Sequence, residues 1–151
     1  MSKMFQCLSV MATMSVVVVG SSQPTKAGNL TARGGKSDWP VSEPGCWGLN
    51  NPTIENYCSQ GKYWYMPLAS VGAGRFWVTV TAQAANNSSN VQCITVGSNR
   101  DGTTYYQSGW FPLPQFGPAR DINLDTIVPS GGSAGASCYV LPGGKVHMLN
   151  W

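Results

Sequence analysis

The sequence predicts an all-β fold, an antiparallel β-sandwich of about seven short strands that is cross-linked by disulfides. Three observations support this prediction: turn residues recur at short intervals, apolar and polar side chains alternate between the turns, and no segment has a convincing helical period. A small β-barrel is the alternative arrangement of the same strands. The chain of 151 residues has room for a single domain of this kind.

Residues 1–27 have the composition of a secretory signal peptide, in which Lys3 supplies the positive start and residues 8–19 form an apolar run. This run is shorter than the about 20 residues that span a bilayer core, so it predicts a cleaved leader rather than an anchor. We expect cleavage after Ala27, and a site before Gln23 is the alternative. The predicted mature protein is therefore secreted, either extracellular or periplasmic, and has no membrane span.

Cleavage at this site leaves a nearly neutral protein. It removes Lys3 and Lys26 and no acid from nine basic and six acidic residues, so the mature charge falls from +3 to about +1. The basic surface that would attract a phosphate backbone is then absent, and we exclude nucleic acid as a partner.

The first part of the predicted mature chain, residues 28–45, is rich in Gly, Ser, Pro and charged residues. Its single large aromatic residue is Trp39. This composition predicts a flexible N-terminal arm, with the β-sandwich domain covering residues 46–151.

Four cysteines remain after cleavage, and an even number in an exported chain predicts two disulfides. Of the three possible pairings we predict Cys46 with Cys58, which closes a short loop, and Cys93 with Cys138, which joins two predicted strands. A zinc site is disfavoured because the chain has no Cys-x-x-Cys spacing and its only histidine is His147.

The clearest strand covers residues 75–84, where Phe76, Val78 and Val80 alternate with Trp77 and Thr79. An Asn- and Ser-rich turn follows, so the sequence predicts a hairpin between this strand and residues 91–96. A third strand of the same meander is predicted at residues 103–111. The remaining predicted strands are residues 63–69, 122–128, 137–141 and 145–151.

Exposed aromatic rings are the strongest candidates for a binding site. The chain has six tryptophans and few charges, and rings of this kind stack on pyranose sugars. Successive side chains of a strand point to opposite faces, so only part of the Tyr63-Trp64-Tyr65 triplet can face inward. For the same reason Trp77 should lie on the face opposite to its apolar neighbours Phe76 and Val78. Trp64, Trp77, Tyr63 and Tyr65 are therefore the candidate ligand-binding residues. The alternative, which the small size of the core favours, is that the rings fill that core.

Asp121, Asn123 and Asp125 stand at alternate positions, as oxygen ligands of calcium would. The glycine and distal glutamate of an EF-hand loop are missing, so a polar outer strand face opposite Ile122 and Leu124 is the favoured interpretation. We expect no cofactor.

No catalytic residue is predicted. His147 stands in a short alternating run without a Gly-x-Ser-x-Gly motif, and no spacing singles out a pair of carboxylates. The leading hypothesis is a non-catalytic extracellular protein, either a surface or matrix component or a recognition module. A carbohydrate-binding module and a small hydrolase around His147 are the alternatives. The expected partners are a polysaccharide or an extracellular protein, and an exposed edge strand would permit self-association.

The order of motifs after the signal peptide resembles a group of uncharacterised exported four-cysteine proteins of myxobacteria and related Gram-negative bacteria. The matching motifs include Gly45-Cys46, Val91-Gln92-Cys93 and the Ser-Cys-Tyr-Val-Leu-Pro-Gly-Gly segment at residues 137–144. The resemblance implies a secreted β-sandwich and brings no activity, ligand or catalytic residue with it.

Overall fold

The computed structural model describes residues 27–37, 45–50, 52–69, 72–87 and 90–151, so the predicted signal peptide before Ala27 lies outside the described residues. Two antiparallel sheets form the predicted sandwich. In chain order the strands are β1 (Asn29–Thr31), β2 (Lys36–Ser37), β3 (Trp47–Asn50), β4 (Thr53–Asn56), β5 (Lys62–Leu68), β6 (Gly74–Gln83), β7 (Val91–Ser98), β8 (Tyr105–Gln107), β9 (Phe111–Pro112), β10 (Arg120–Val128), β11 (Ser133–Val140) and β12 (Lys145–Asn150).

The first sheet has the strand order β10-β6-β12-β4-β3, and β1 pairs with β12. The second sheet has the order β2-β5-β11-β7-β8, and β9 pairs with β7. The core lies between the sheets, where the inward side chains of the long strands meet. The described residues include a short 3-10 helix, Ala32–Gly34. No helix in this part of the chain is long and apolar enough to cross a membrane.

The predicted alternation along β6 is confirmed. Phe76, Val78 and Val80 are buried in the core, whereas Trp77 is exposed on the outer face. Burial of a side chain of this size contributes about 1.5–3 kcal/mol, so the pattern defines which face of the strand turns inward.

The predicted hairpin between β6 and β7 is wrong, because these strands lie in opposite sheets. β6 pairs with β10 and β12, whereas β7 pairs with β11, β8 and β9. The connection begins with Ala84, which is itself buried, and it crosses from one sheet to the other. The next pairing of the predicted meander is confirmed, since Val96 of β7 stands opposite Gln107 of β8.

The prediction of a flexible arm over residues 28–45 is wrong for its described first part. β1 adds to β12 of the first sheet, and β2 adds to β5 of the second sheet. Between them Ala32 is fully buried, and Leu30 packs against the core. Burial of these two apolar side chains, together with the strand pairing, docks a segment that is otherwise polar. Residues 38–44 lie outside the described residues.

Both predicted disulfides are present. Cys46 and Cys58 enclose β3 and β4, a hairpin that the sequence analysis did not predict. Cys93 and Cys138 stand directly opposite each other on β7 and β11, and both are fully buried. Each bond removes loop-closure entropy from the unfolded chain and contributes about 3–4 kcal/mol on the chain-entropy model.

Candidate functional site

Trp77 lies on the outer face of the first sheet with 65% of its surface exposed. The pairing of β6 with β10 sets it opposite Asp125. The guanidinium of Arg75 lies 4.8 Å from the centre of the indole ring and is held by Asp125 through Nε (2.8 Å) and Nη2 (2.6 Å). A cation over the ring is attracted by its π-electrons, so this contact favours the observed position of the indole at the surface.

A row of polar side chains continues from Trp77 along the same two strands. The hydroxyl of Thr79 donates to Oδ1 of Asn123 at 3.0 Å, and the hydroxyl of Thr81 donates to Oδ1 of Asp121 at 2.7 Å. Asn150 of β12 stands beside Thr79 in the sheet. The face therefore presents hydroxyl, amide and carboxylate groups next to one large exposed ring.

The three oxygen-bearing residues of β10 form the polar outer face that the sequence analysis favoured. Asp121, Asn123 and Asp125 point away from the buried side chains of Ile122 and Leu124. Each is bonded to a side chain of β6. Within the described part of the chain, no group of three His, Cys, Asp or Glu residues could hold a metal ion.

Trp64 is not a surface residue, which corrects its place among the candidate ligand-binding residues. It is 5% exposed, and its indole packs against Trp47 with ring centres 4.8 Å apart. Tyr63 and Tyr65 alternate with it and face outward, but they do so on the second sheet. The four aromatic candidates thus divide between a core position and two opposite outer faces, and they do not form a single platform.

Tyr63 belongs to an aromatic cluster on the outer face of the second sheet, which we call the Tyr63 cluster. Its other members are Tyr139, with ring centres 4.8 Å apart, and Trp110, with ring centres 6.0 Å apart. The sequence analysis did not select Tyr139 or Trp110. Only the pairing of β5 with β11, which sets Tyr139 opposite Tyr63, reveals this neighbourhood.

A small cavity of about 180 Å³ lies at one end of the sandwich. Asn86, Asn87 and Asn90 line one part of it, and Gln115 and Phe116 line another. Pockets that enclose a drug-sized ligand measure about 300–1,000 Å³, so this cavity could accept only part of such a molecule.

His147 is poorly placed for catalysis. It stands at an irregularity in β12 between Val146 and Met148, where its Nδ1 lies 2.9 Å from the hydroxyl of Thr53. Its Nε2 is buried and has no hydrogen-bond partner. Burial, with a smaller contribution from the charge of Lys145, lowers the pKa of this imidazole. A general base needs a nitrogen that reaches the substrate, whereas Nε2 of His147 is buried and Nδ1 is bonded to Thr53.

No protein-family model matches this sequence, and none of the curated proteins matches it significantly. Solved structures do resemble the fold. A family two carbohydrate esterase from Cellvibrio japonicus has a TM-score of 0.51 and 11% identity, over 83% of this chain and 33% of the esterase. At this identity the likeness concerns the fold alone, and the chain spans about a third of that enzyme.

Two carbohydrate-binding modules are also similar in structure. One, from the Cellvibrio mixtus lichenase 5A in complex with cellotriose, has a TM-score of 0.47 and 9% identity, over 82% of this chain and 94% of the module. The other is the C-terminal module of a laminarinase from Zobellia galactanivorans, with a TM-score of 0.49 and 12% identity, over 83% of this chain and 98% of the module.

Proposed function

We propose that this protein is an exported, non-catalytic carbohydrate-recognition module that binds a polysaccharide on the outer face of its first sheet. One observation carries the proposal: the exposed indole of Trp77, which contacts the guanidinium of Arg75, adjoins the polar row of β6 and β10. Because a fold does not define a function, this surface supports the proposal and similarity to other sandwiches does not.

The chemistry of this face suits a sugar chain. The apolar face of a pyranose ring stacks on an indole, while its hydroxyl groups exchange hydrogen bonds with amides, hydroxyls and carboxylates. Thr79, Asn123 and Asp121 supply such groups within the same two strands. A ring that is already held in place loses little conformational entropy when the sugar binds.

Export is part of the proposal. The sequence of residues 1–27 has the features of a signal peptide, and two disulfides are typical of proteins that fold in an oxidising compartment. A polysaccharide of a cell surface or an extracellular matrix would be the accessible partner there. The hydrolase alternative is disfavoured because Nε2 of His147 is buried and its Nδ1 is bonded to Thr53.

The test is a titration of the mature protein against a panel of soluble polysaccharides, followed by tryptophan fluorescence. Trp77→Ala also removes one of the reporting indoles, so binding is measured in parallel by retardation in gels that contain the polysaccharide. We expect a saturable shift and a loss of at least about tenfold in affinity for Trp77→Ala. Trp77→Phe keeps an aromatic ring and should retain part of the affinity.

Phe116→Ala is the matched control, because Phe116 is also exposed but lines the small cavity instead of the first sheet. It should bind as the unmodified protein does. Loss of binding in Phe116→Ala with full binding in Trp77→Ala would transfer the site to the cavity. No retardation by any polysaccharide of the panel would refute the proposed function.

A further inference from the structure

We propose that the Tyr63 cluster is a second glycan-binding surface, which takes a single neutral polysaccharide chain, so that one domain bridges two chains. This inference rests on the proposed function of the Trp77 face and extends it to the opposite side of the sandwich. The two faces belong to different sheets, and packed sheets lie about 10 Å apart with their outer faces directed away from each other. Both surfaces can therefore be occupied at once.

The three rings come from separate elements, and Tyr63 contacts both of the others, the exposed Trp110 and the half-buried Tyr139. Tyr63 belongs to β5, Tyr139 to β11, and Trp110 to the segment between β8 and β9. Tyr63 is 38% exposed and Trp110 is 44% exposed. Large side chains of this kind favour burial, and three of them in contact at a surface mark a site for a ligand more often than scattered single rings do.

Close contact with the backbone limits the movement of the tyrosines. The ring of Tyr139 occupies the space that a Cβ at Gly61 would need. The ring of Tyr65, a neighbour outside the cluster, likewise occupies the space that a Cβ at Gly135 would need. Only glycine allows a ring to approach the sheet in this way. Tyr139, the member of the Tyr63 cluster that meets a glycine in this way, is thus held before any ligand arrives, which lowers the entropic cost of binding.

The charges indicate what this surface would bind. The described outward-facing residues of β5, β7 and β11 are aromatic, aliphatic, hydroxyl or amide residues, proline or glycine, and none carries a charge. The outer face of the first sheet, in contrast, carries Arg75, Asp121 and Asp125. Lys36 of β2 lies at the edge of this face, with its ammonium 6.0 Å from the ring centre of Tyr65. The rings of the Tyr63 cluster, with Gln92 opposite Tyr139, offer stacking and neutral hydrogen bonds, which suits a neutral glycan.

The ring orientations further restrict the ligand. Tyr63 is inclined by 47° to Tyr139 and by 54° to Trp110. Rings at these angles cannot all lie against one flat crystalline surface. They can contact successive sugar units of one free chain, whose faces turn along its length.

Bridging is measured directly with a neutral polysaccharide used in two forms. Unlabelled β-glucan, mannan, xylan or galactan is fixed to beads, the protein is added, and a fluorescent sample of the same soluble polysaccharide follows. Retention of protein reports either site, whereas capture of the fluorescent chain requires both sites on one molecule. Sedimentation confirms that the protein is monomeric under these conditions.

Trp110→Ala should reduce capture of the fluorescent chain at least about tenfold while retention of the protein on the beads changes by no more than about twofold. Trp77→Ala should also lose capture and bind the beads at least about tenfold more weakly, through the Tyr63 cluster alone, and the double variant should lose both signals. Tyr63→Ala, on a different strand, should reproduce Trp110→Ala. The matched control is Tyr105→Ala, an exposed tyrosine outside the cluster. It stands opposite Ser98, six residues along β7 from Gln92, the partner of Tyr139, and so about 20 Å from Tyr139.

The possible failures differ from one another. If the unmodified protein is retained on the beads but captures no fluorescent chain, this inference is overturned and the proposed function stays intact. Capture that survives both Trp110→Ala and Tyr63→Ala also overturns it. A dimer that dissociates on Trp110→Ala would make the cluster a contact between copies of the chain. Absence of retention on every polysaccharide overturns both proposals.

Discussion

The indole N–H of Trp64 donates a hydrogen bond of 2.8 Å to the carbonyl oxygen of Ala32. This bond joins the centre of β5 in the second sheet to the 3-10 turn that follows β1 of the first sheet. Because both residues are buried, the segment at residues 28–37 closes one side of the core rather than extending from it. A buried indole N–H without a partner would cost about 1–3 kcal/mol, so this short segment contributes to the stability of the whole domain.

Gly35→Ala tests the tight packing of this segment. A Cβ at Gly35 would stand 2.5 Å from the carbonyl oxygen of Tyr65 and also collide with the indole nitrogen of Trp64. We expect the free energy of unfolding to fall by about 1–3 kcal/mol, measured by urea denaturation. Gly45→Ala is the control, since a Cβ there meets nothing within 4 Å. Equal stability of the two variants would contradict the close packing at Gly35.

The two disulfides should differ in their effect on stability. The Cys93–Cys138 bond joins residues 45 apart in sequence and therefore closes the longer loop, whereas Cys46 and Cys58 are 12 apart. Replacing both members of a pair by alanine should lower the free energy of unfolding by about 4 kcal/mol for the first pair and by about 3 kcal/mol for the second. Urea denaturation of the two double variants gives this comparison. A greater loss from the shorter loop would argue against the entropic explanation.

The stability of the domain should depend on pH through His147. Its pKa is lowered in the folded state, chiefly by burial, whereas the unfolded chain keeps the ordinary value of 6.5. The unfolded state therefore binds the proton more readily, and the free energy of unfolding should fall as the pH drops through that value. Urea denaturation between about pH 7.5 and about pH 5.5, above the range in which carboxylates titrate, measures the slope. His147→Gln should flatten the profile, and an unchanged slope would assign it to another group.

Arg75→Gln should separate binding from stability. The Arg75–Asp125 pair is largely exposed, so its loss should change the free energy of unfolding by less than about 1 kcal/mol. The indole of Trp77 would lose its cationic neighbour, and affinity for the polysaccharide should fall about 3–10-fold. Gel retardation and urea denaturation measure the two effects. Lys145→Gln, which removes a different ion pair with Glu55, serves as the control and should leave affinity unchanged.

The mature protein should begin at Gly28. The backbone of Gly28 pairs with that of Trp151 through two hydrogen bonds of 2.8 and 3.0 Å, so cleavage after Ala27 leaves the β1–β12 pairing intact. Mass spectrometry of the exported protein gives its first residue. A protein that begins at Gln23 would support the earlier cleavage site, and one that begins after Thr31 would contradict the role of β1.

The alternation within each strand was open to prediction because it depends on neighbours in sequence. Period two alone assigns Phe76 and Val78 to the core and Trp77 to the surface, and burial of large apolar groups enforces this choice. It likewise assigns Asp121 and Asn123 to an outer face. For Trp64 the same rule leaves two registers, and the triplet could have exposed either its central ring or its outer two.

By itself, then, the sequence determined the fold class, the presence of two disulfides among four cysteines, and which side chains of the longest strands face inward, since each of these follows from composition or local spacing. It left three disulfide pairings open, and the folded structure shows the predicted one. The tertiary structure decided which strands are neighbours. β6 and β7 follow each other in the chain yet lie in opposite sheets, and β10 brings its polar residues beside Trp77 from over 40 residues away. Such pairings depend on the packing of the whole core, so only the folded chain could show that Trp77 and Tyr63 face opposite sides of one sandwich.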